Sequence, residues 1–291
     1  MMNPPRQLFC FGLGYAALAL ARSLAAEGWT VSGTSRDAEK AAELRMLGFA
    51  VELFDRDHPL PDGMLRGVTH ILVSIPPDAV GDPVRDICAR EIAALSNLIW
   101  LGYLSATSVY GNRDGGWVDE SSALLPTGDR GRRRTASEQG WLDLWRERGT
   151  PVHIFRLAAI YGPGRNPFAA LRNGSAKCVG KPGQVFSRIH VEDLARVLMA
   201  SMAQPRPGAV YNVCDDNPAA PEAVLAWASR LLGVTPPPLI PLDQAGLSPM
   251  ARSFYDDNKR VSNARMKREL GVTLRYPDYR AGLRAILAAG G

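Results

Sequence analysis

Residues 11–17 read FGLGYAA and lie between a short apolar run, Gln7–Gly12, and an Ala/Leu-rich run, Tyr15–Glu27. The first run has the length and composition of a buried strand, and the second has those of a helix. The two glycines and the second alanine of this stretch follow the spacing GxGxxA at the turn between the two elements. Strand, tight turn and helix in this order predict the first unit of a parallel α/β sheet.

Each small residue of the turn has a separate physical task. Gly12 permits the sharp turn, Gly14 lets the backbone approach a ligand closely, and Ala17 lets the helix pack against the sheet. The N-terminus of the helix offers free N–H groups and a partial positive charge, which suit a pyrophosphate. We therefore predict a dinucleotide-binding turn, with cofactor contacts from Gly12, Gly14, Tyr15 and Ala17.

The chain at the end of the second predicted strand carries hydroxyl and cationic side chains instead of a carboxylate. An acidic residue at this point accepts hydrogen bonds from the ribose of NAD. Here Thr34, Ser35 and Arg36 occupy the position, and Asp37 comes too late. Because a guanidinium pairs bidentately with phosphate, these residues favour NADP over NAD as the cofactor. The alternative is a solvated Arg36 at a helix start that Asp37 caps.

Two further segments at the ends of predicted strands are candidate cofactor contacts. Asp55 follows the third strand, where a carboxylate could accept a hydrogen bond from the adenine. Ser74, Ile75 and Pro76 follow the fourth strand and are predicted to line the path of the cofactor. Both assignments depend on the fold, since the carboxyl ends of parallel strands meet at one edge of the sheet.

Alternating strand and helix patterns in the first half predict a doubly wound parallel sheet with helices on both faces. The predicted strands are Gln7–Gly12, Trp29–Thr34, Ala50–Phe54, His70–Ser74, Leu98–Leu104 and Val152–Leu157. The predicted helices of this half are Tyr15–Glu27, Asp37–Leu47, Pro83–Leu95 and Thr135–Arg148.

The pattern changes after residue 160, where loops with short elements are followed by further helices. The later predicted elements are a helix at Glu192–Met202, a strand at Ala209–Val213 and helices at Glu222–Leu232, Ala264–Leu270 and Tyr279–Ala288. We predict an α/β protein with a Rossmann-type NAD(P)-binding domain over 1–160, joined by 190–215. Residues 161–189 and 216–291 are predicted to form a small, mostly helical C-terminal substrate lobe.

Composition and charge argue against several classes of protein. The 291 residues carry 34 Lys and Arg against 29 Asp and Glu, a net charge of +5. So small an excess, without interleaved aromatic residues, argues against nucleic-acid binding. The four cysteines and four histidines lack metal-like spacing, so no metal site is predicted. We expect a cytoplasmic protein with reduced thiols and no attachment to a membrane.

Four short motifs follow one another along the rest of the chain. Residues 104–111 read LSATSVYG, residues 156–164 read RLAAIYGPG, residues 189–195 read IHVEDLA, and residues 211–213 read YNV. In this order they resemble the SSxxVYG, RxxNxYGPG, IHVxDxA and YNV segments of the extended short-chain dehydrogenase/reductases, the NAD-dependent epimerase/dehydratase family. The likeness covers nearly the whole chain. It implies an NAD(P) cofactor and a small-molecule substrate.

The resemblance fails at the residues that handle protons in that family. Its members use a Tyr-xxx-Lys pair together with a Ser or Thr. The family's YGxSKxxAE segment aligns with residues 130–138, RGRRRTASE, so Arg130 replaces the tyrosine and Arg134 the lysine. Ala106 replaces the Ser or Thr, and Ala159 replaces the asparagine of RxxNxYGPG. Because an arginine stays protonated at ordinary pH, the resemblance implies an atypical active site.

Other side chains near these positions are candidates for the missing roles. Thr107 could supply the hydroxyl and Tyr110 a phenol, so we name both as candidate catalytic residues with Arg130 and Arg134. For Tyr110 and Tyr161 the alternative is a role in packing. The two arginines are four residues apart and could clamp an anion from one helix face. Alternatively, they belong to an exposed basic turn.

The resemblance also implies contacts elsewhere in the chain. Ser105, after the fifth strand, is expected to contact the cofactor or to take the hydroxyl role. Tyr161, Lys259 and Arg260 fall where the family's C-terminal lobe meets its substrate. The helices at 83–95 and 135–148 would form the four-helix interface of a homodimer.

Three hypotheses for the function follow from the motifs. The first is an atypical reductase or epimerase that passes hydride between nicotinamide and a small polar or sugar-derived substrate. The second is a non-catalytic dinucleotide-binding or redox-sensing regulatory protein. The third is a scaffold that retains the fold without binding a cofactor. Cofactor binding separates the first two hypotheses from the third, and turnover separates the first from the second.

Overall fold

The computed structural model describes residues 6–291, which form two compact units. The first unit comprises residues 6–105, 133–156 and 195–211; the second comprises 106–132, 157–194 and 212–291. The sequence-based division assigns residues 106–132 to the first domain, whereas here they group with the second unit. The reason is hydrogen bonding, since Tyr110 Oη donates to Asn212 Oδ1 and the Arg113 N–H donates to the Asn258 carbonyl.

The elements follow the predicted alternation. The strands are β1 (Gln7–Phe11), β2 (Thr30–Ser35), β3 (Ala50–Leu53), β4 (His70–Val73), β5 (Trp100–Ala106), β6 (Trp117–Val118), β7 (Val152–Leu157), β8 (Ala159–Tyr161), β9 (Cys178–Gly180), β10 (Arg188–His190), β11 (Val210–Val213), β12 (Leu239–Pro241) and β13 (Arg260–Val261). The helices are α1 (Tyr15–Ala26), α2 (Ala38–Met46), α3 (Pro83–Ala93), α4 (Asp129–Arg148), α5 (Phe168–Arg172), α6 (Val191–Ala203), α7 (Pro221–Leu232), α8 (Pro249–Ser253), α9 (Ala264–Leu270) and α10 (Tyr279–Ala288). A 3-10 helix spans Thr107–Tyr110.

Seven strands form one sheet in the order β11-β7-β5-β4-β1-β2-β3. Strand β1 pairs in parallel with β2 and β4, and parallel pairing continues from β2 to β3 and from β4 to β5. This order is that of a doubly wound Rossmann fold with one additional edge strand, which confirms the predicted fold class. The strand order reverses between β1 and β4. Ligands of such sheets bind outside the carboxyl ends of the strands at this reversal.

Helix α4 begins at Asp129, six residues before the predicted start at Thr135. The run of arginines therefore lies in the first turns of the helix, where Arg130 and Arg132 are exposed and Arg133 and Arg134 are half-buried. Asp129 lies in the first turn, where a carboxylate favours the helix, and it pairs with Arg132. Gly131 obscured this start in the sequence. A Cβ at Gly131 would lie 2.6 Å from the Ser108 carbonyl oxygen, so the glycine permits close approach of the 3-10 helix.

The second unit has small parallel strand pairs, β8 with β10, β9 with β12, and β6 with β13. Its helices α5, α7 and α10 enclose an apolar core that includes Phe168, Ala228, Leu283 and Ile286. No helix within residues 6–291 is long and apolar enough to cross a membrane.

His153 is fully buried in the first unit and makes contacts that require its neutral form. Its Nε2 accepts a hydrogen bond from the Arg206 backbone N–H at 2.8 Å. Its Nδ1 lies 3.3 Å from the Leu101 carbonyl oxygen, so a proton on Nδ1 satisfies both partners. Burial lowers the pKa of His153 to about 4.

Acid is expected to destabilise the protein through His153. In the unfolded chain the His153 imidazole titrates near pH 6.5. Between pH 6.5 and 4 the unfolded state therefore binds a proton at His153 that the folded state does not bind. The contribution of the neutral imidazole to the free energy of unfolding is complete above pH 6.5. As the pH falls from 6.5 toward 4, this contribution decreases by about 3 kcal/mol. When urea unfolding is measured at pH 7, 5.5 and 4.5, the free energy of unfolding should fall less steeply with pH for His153→Gln than for the parent chain. The exposed His58→Gln is the control, and equal slopes for His153→Gln and the parent chain would refute the expectation.

Candidate functional site

The turn after β1 adopts the geometry that its glycines predict. Gly12 has a φ of +86°, which L side chains rarely adopt, and a Cβ there would lie 2.9 Å from Ile75 Cγ1. Its N–H donates to Thr34 Oγ1 at 2.9 Å, and the Leu13 N–H donates to the Thr34 carbonyl at 2.8 Å. Thr34 is fully buried. Its hydroxyl therefore fixes the position of the turn from the protein interior.

The N-terminus of α1 is open to a ligand. Gly14 is the exposed N-cap residue, and no atom outside its chain neighbours lies within 4 Å of the position that a Cβ would take. The first turn carries no acidic side chain and no side-chain cap. Ala17 is fully buried against the sheet. An uncapped helix end with unobstructed backbone is suited to an anionic group such as a pyrophosphate.

The segment after β2 combines an exposed cation with a capped helix. Arg36 is exposed and has no ion-pair partner among residues 6–291. The Ser35 hydroxyl accepts from the Asp37 N–H at 3.1 Å, and Asp37 caps α2 by accepting from the Lys40 N–H at 3.1 Å. The capping role considered for Asp37 is confirmed. It leaves the Arg36 guanidinium available to a ligand.

The segments after β3 and β4 follow the carboxyl ends of two strands of the same parallel sheet, β3 at its edge and β4 beside the reversal of strand order. Asp55 Oδ1 accepts from the N–H groups of Asp57 and His58 at 2.8 and 2.9 Å, while Oδ2 has no partner within residues 6–291. The Ser74 N–H donates to the Phe11 carbonyl at 2.9 Å and extends the pairing of β4 with β1. Ile75 thus lies against the glycine turn. Pro76 is exposed directly after it.

Ser105 belongs to a buried polar cluster that the sequence did not reveal. Its hydroxyl donates to Glu138 Oε1, and Glu138 Oε2 accepts from Arg156 Nη2 at 2.8 Å and from Arg156 Nε at 3.1 Å. Ser105 and Glu138 are both 2% exposed. Part of this cluster had a signal in the sequence, because Arg156 is a charged residue within an otherwise apolar strand pattern. The engaged hydroxyl holds the end of β5.

The two arginines at the Tyr-Lys positions contact different groups. Arg134 is half-buried, its Nη1 donates to the Leu104 carbonyl, and its guanidinium lies 6.0 Å from the Tyr103 ring. Arg130 is exposed, with its guanidinium 5.0 Å from the Phe254 ring. Burial raises the pKa of Tyr103 to about 12, so this phenol stays protonated.

Three more candidate residues differ in whether their hydroxyl groups are hydrogen-bonded. Thr107 is half-buried at the start of the 3-10 helix, with no hydroxyl partner among residues 6–291. The Tyr110 phenol is fully buried and donates to Asn212 Oδ1 at 2.7 Å, which is a packing role. Tyr161 donates to the Asp278 carbonyl at 3.3 Å and lines a cavity of the second unit. Of the three, Thr107 alone keeps an unengaged hydroxyl.

Lys259 and Arg260 hold loops of the second unit. Lys259 is 8% exposed, and its Nζ contacts the Gly111 carbonyl at 2.9 Å and Asp257 Oδ2 at 3.0 Å. Arg260 Nη1 donates to the Gly115 carbonyl. Burial lowers the pKa of Lys259. Both cations therefore bind carbonyl groups of the loop that follows the 3-10 helix. The spacing of residues in the sequence could not indicate these contacts.

Comparison with known proteins gives one relative of curated name and several solved structures. No family model matches the chain. Protein YeeZ of Escherichia coli strain K12 is 29% identical over 279 residues, which cover 92% of this chain and 95% of YeeZ. A functionally unknown conserved protein from Silicibacter pomeroyi DSS is 52% identical, with a TM-score of 0.91 over 97% of this chain and 98% of that one.

The fold is shared with an epimerase that binds a dinucleotide. UDP-glucuronic acid 4-epimerase from Bacillus cereus, solved with UDP-glucuronic acid and NAD, has a TM-score of 0.80 over 97% of this chain and 98% of that one. Its sequence is 15% identical, so the likeness concerns the fold alone. The architecture expected from the four motifs is thereby confirmed.

Proposed function

We propose that this chain, which belongs to the same family as the functionally unknown Silicibacter pomeroyi protein, is an NAD(P)-binding protein of the epimerase/dehydratase type. The observation that carries the proposal is the turn at residues 11–17. Gly12 has a positive φ, Gly14 is unobstructed, and α1 begins without a side-chain cap. These features suit a pyrophosphate at the strand-order reversal.

The cofactor would be held by residues from several segments at the carboxyl ends of the strands. The N–H groups at the start of α1, next to Gly14 and Tyr15, would bind the pyrophosphate. Arg36 and Ser35 would bind the ribose end, and Asp55 Oδ2 would accept a hydrogen bond from the adenine. When bound, the nicotinamide would supply a hydride donor or acceptor. Calorimetric titration with NADPH and NADH tests this proposal, and no binding of either at millimolar concentration would refute it.

NADP is proposed as the preferred cofactor because Arg36 is exposed and free of ion pairs in the described chain. Arg36→Glu is expected to weaken NADPH binding about 10- to 100-fold, since charge-assisted pairing with a phosphate is lost and repulsion added. The affinity for NADH, which lacks the 2′-phosphate, should change less than about threefold. Calorimetry with both cofactors measures the ratio. Equal weakening of the two would contradict the 2′-phosphate assignment, and Arg22→Glu on the exposed face of α1 is the control.

We propose that any chemistry proceeds by an atypical mechanism on a small polar or sugar-derived substrate. Ala106, Arg130 and Arg134 replace the proton-handling residues of the family. Thr107 is the remaining hydroxyl without a partner in the described chain, and it could donate to a substrate oxygen. Arg130 could hold an anionic group, because its guanidinium is exposed.

The second candidate function is a non-catalytic dinucleotide-binding regulator. It is favoured by the engagement of Tyr110 with Asn212 and of Arg134 with the Leu104 carbonyl, which leaves no phenol or lysine in the family's catalytic role. Incubating the protein with nucleotide sugars and simple carbonyl compounds, in the presence of either NADP or NADPH, distinguishes the two. Either a change in absorbance at the reduced-nicotinamide band or a new sugar product detected by NMR supports an enzyme, because epimerisation returns the hydride to the substrate and leaves that absorbance unchanged. Binding without turnover across the panel supports a regulator.

A homodimer through α3 and α4 remains part of the proposal. The two helices pack together within one chain, because the Trp141 indole N–H donates to Asp82 Oδ2 at 2.9 Å. Arg85 also lies over Gly140, where a Cβ would lie 1.2 Å from its Nη1. A pair of helices joined in this way could meet its copy as a four-helix interface. Sedimentation equilibrium would test the dimer.

A further inference from the structure

A cavity of about 220 Å³ lies entirely within the second unit. Three tyrosines, Tyr161, Tyr255 and Tyr279, contribute to its wall, together with Arg188 and the exposed Lys177. Apolar side chains of α7 and α10 complete the lining. The cavity therefore combines cationic and phenolic donors with an apolar wall.

Arg188 brings unused hydrogen-bond donors to this cavity. Its Nη1 donates to the carbonyl oxygens of Phe186 and Ala219 at 2.8 and 2.9 Å, which fixes the guanidinium. Its Nε and Nη2 have no acceptor among residues 6–291, and no carboxylate there lies within ion-pairing distance. A guanidinium anchored on one side and open on the other is preorganised for an oxyanion.

Two phenols add donors beside the guanidinium. The Tyr255 and Tyr279 hydroxyls have no hydrogen-bond partner within the described chain, although Tyr279 is 2% exposed. The ring of Tyr255 is held edge-on against Phe186, with centroids 5.4 Å apart. These fixed rings offer both a flat wall and hydroxyl donors, which suits a ligand with an apolar body and a polar head.

The lining of the cavity includes two cations, Arg188 and Lys177, and no carboxylate. Lys177 Nζ also donates to the Ala245 carbonyl at 3.3 Å. Glu222 lies outside the lining, and its charge adds to burial in raising the pKa of Tyr255. Asp215, which interacts electrostatically with Arg188, is 1% exposed. Burial raises the pKa of Asp215 to about 8, and no oxygen of this carboxyl lies within ion-pairing distance of the Arg188 guanidinium.

The volume limits what the cavity can hold. Pockets for drug-sized ligands enclose about 300–1,000 Å³, and this one is smaller. A nucleoside diphosphate sugar would fill far more than 220 Å³. The fitting ligand is compact, with one anionic group and a short apolar or aromatic body.

We infer that this cavity binds the oxyanion head, carboxylate or phosphate, of a compact metabolite with an apolar body, through Arg188, Lys177 and the Tyr255 and Tyr279 hydroxyls. The inference deepens the proposed function, on which it rests for the role of this ligand as substrate or effector. It narrows the small polar substrate of the proposed function to a small organic acid or monophosphate.

Calorimetry on NADPH-saturated protein tests the inference with three probes: benzoate, phenyl phosphate and inorganic phosphate. Saturation with NADPH prevents the probes from occupying the dinucleotide turn. Arg188→Gln is expected to weaken benzoate or phenyl phosphate at least tenfold, and Lys177→Gln and Tyr255→Phe about threefold each. The exposed Arg268→Gln is the matched control and should leave binding unchanged. The stronger of the two organic probes identifies the head group, and binding of inorganic phosphate alone would exclude a role for the apolar wall.

Two variants keep the test decisive if Arg188→Gln does not fold. Tyr255→Phe removes a hydroxyl that has no partner in the described chain, and Lys177 is exposed, so both should fold. Unchanged affinity in both variants, or no binding of any probe at 10 mM (about ten times the ~1 mM dissociation constant expected of a weak ligand), overturns the inference. The NADPH titration separates the two proposals. If the protein binds benzoate but not NADPH, the proposed function alone is refuted. If it binds NADPH but none of the three probes, this inference alone is refuted.

Discussion

Replacing Glu138 with alanine is expected to lower the free energy of unfolding by about 3–5 kcal/mol. The side chains of Glu138 and Arg156 are 2% and 5% exposed, and the Ser105 hydroxyl donates to the same carboxylate. Removing the carboxylate takes from the buried Arg156 guanidinium the ion pair with Glu138, and from the buried Ser105 hydroxyl its acceptor. Such a loss approaches the whole stability of an ordinary domain.

Urea unfolding followed by circular dichroism measures this effect. Glu147→Ala on the exposed part of α4 is the matched control and should change stability by less than about 0.5 kcal/mol. The double variant Glu138→Leu with Arg156→Met should recover much of the loss, because no charge is then left unpaired. A Glu138→Ala variant as stable as the Glu147→Ala control would contradict the buried ion pair.

Replacing Gly14 with aspartate is expected to abolish dinucleotide binding while leaving the fold intact. A Cβ at Gly14 meets no atom within 4 Å, and its φ of −82° is open to any residue. Aspartate is also a better N-cap than glycine, by a few tenths of a kcal/mol. Two unit charges about 4 Å apart repel by up to about 4 kcal/mol at an effective dielectric constant of 20. With solvent screening, we expect a loss of NADPH affinity of about 100-fold or more.

The opposite signs of the two effects make this variant informative. Thermal unfolding without cofactor should give an equal or slightly higher midpoint for Gly14→Asp, while calorimetry with NADPH shows the loss. Gly14→Ala is the steric control, and it should retain the fold and bind NADPH within about tenfold of the parent chain. If Gly14→Asp bound NADPH as the parent chain does, the pyrophosphate could not lie at this turn.

The proposed replacement of a Tyr-Lys pair by Arg130 and Arg134 separates the question of the fold from the question of the reaction. The fold depends on strand order, glycine turns and apolar faces, all of which this chain retains. Proton transfer depends on a few side chains, and here Arg134 instead binds the Leu104 carbonyl. Arginine cannot exchange a proton near neutral pH, so the retained fold does not imply the retained reaction. Cofactor binding and catalysis therefore need separate tests.

The sequence by itself determined the order of the elements and the nature of the first turn. Strand β7 and helices α9 and α10 have the predicted bounds, because hydrophobic periodicity is a local property of the chain. The conformation of Gly12 was predictable for the same reason, since a GxGxxA turn is set by neighbouring residues. The start of α4 was missed, because Gly131 is a poor helix former that is required by a close contact.

Only the tertiary structure decided which polar side chains meet. Glu138 pairs with Arg156 and Tyr110 with Asn212, and residues this far apart along the chain come together only after the sheet has formed. Arg188 likewise donates to the carbonyl of Ala219, 31 residues away, as well as to that of Phe186, two residues before it. Side-chain pairing depends on distances of a few ångströms between remote segments, whereas periodicity describes only the neighbourhood of each residue. For this reason the glycine turn after β1 was predictable, and the buried ion pair and the cavity of the second unit were not.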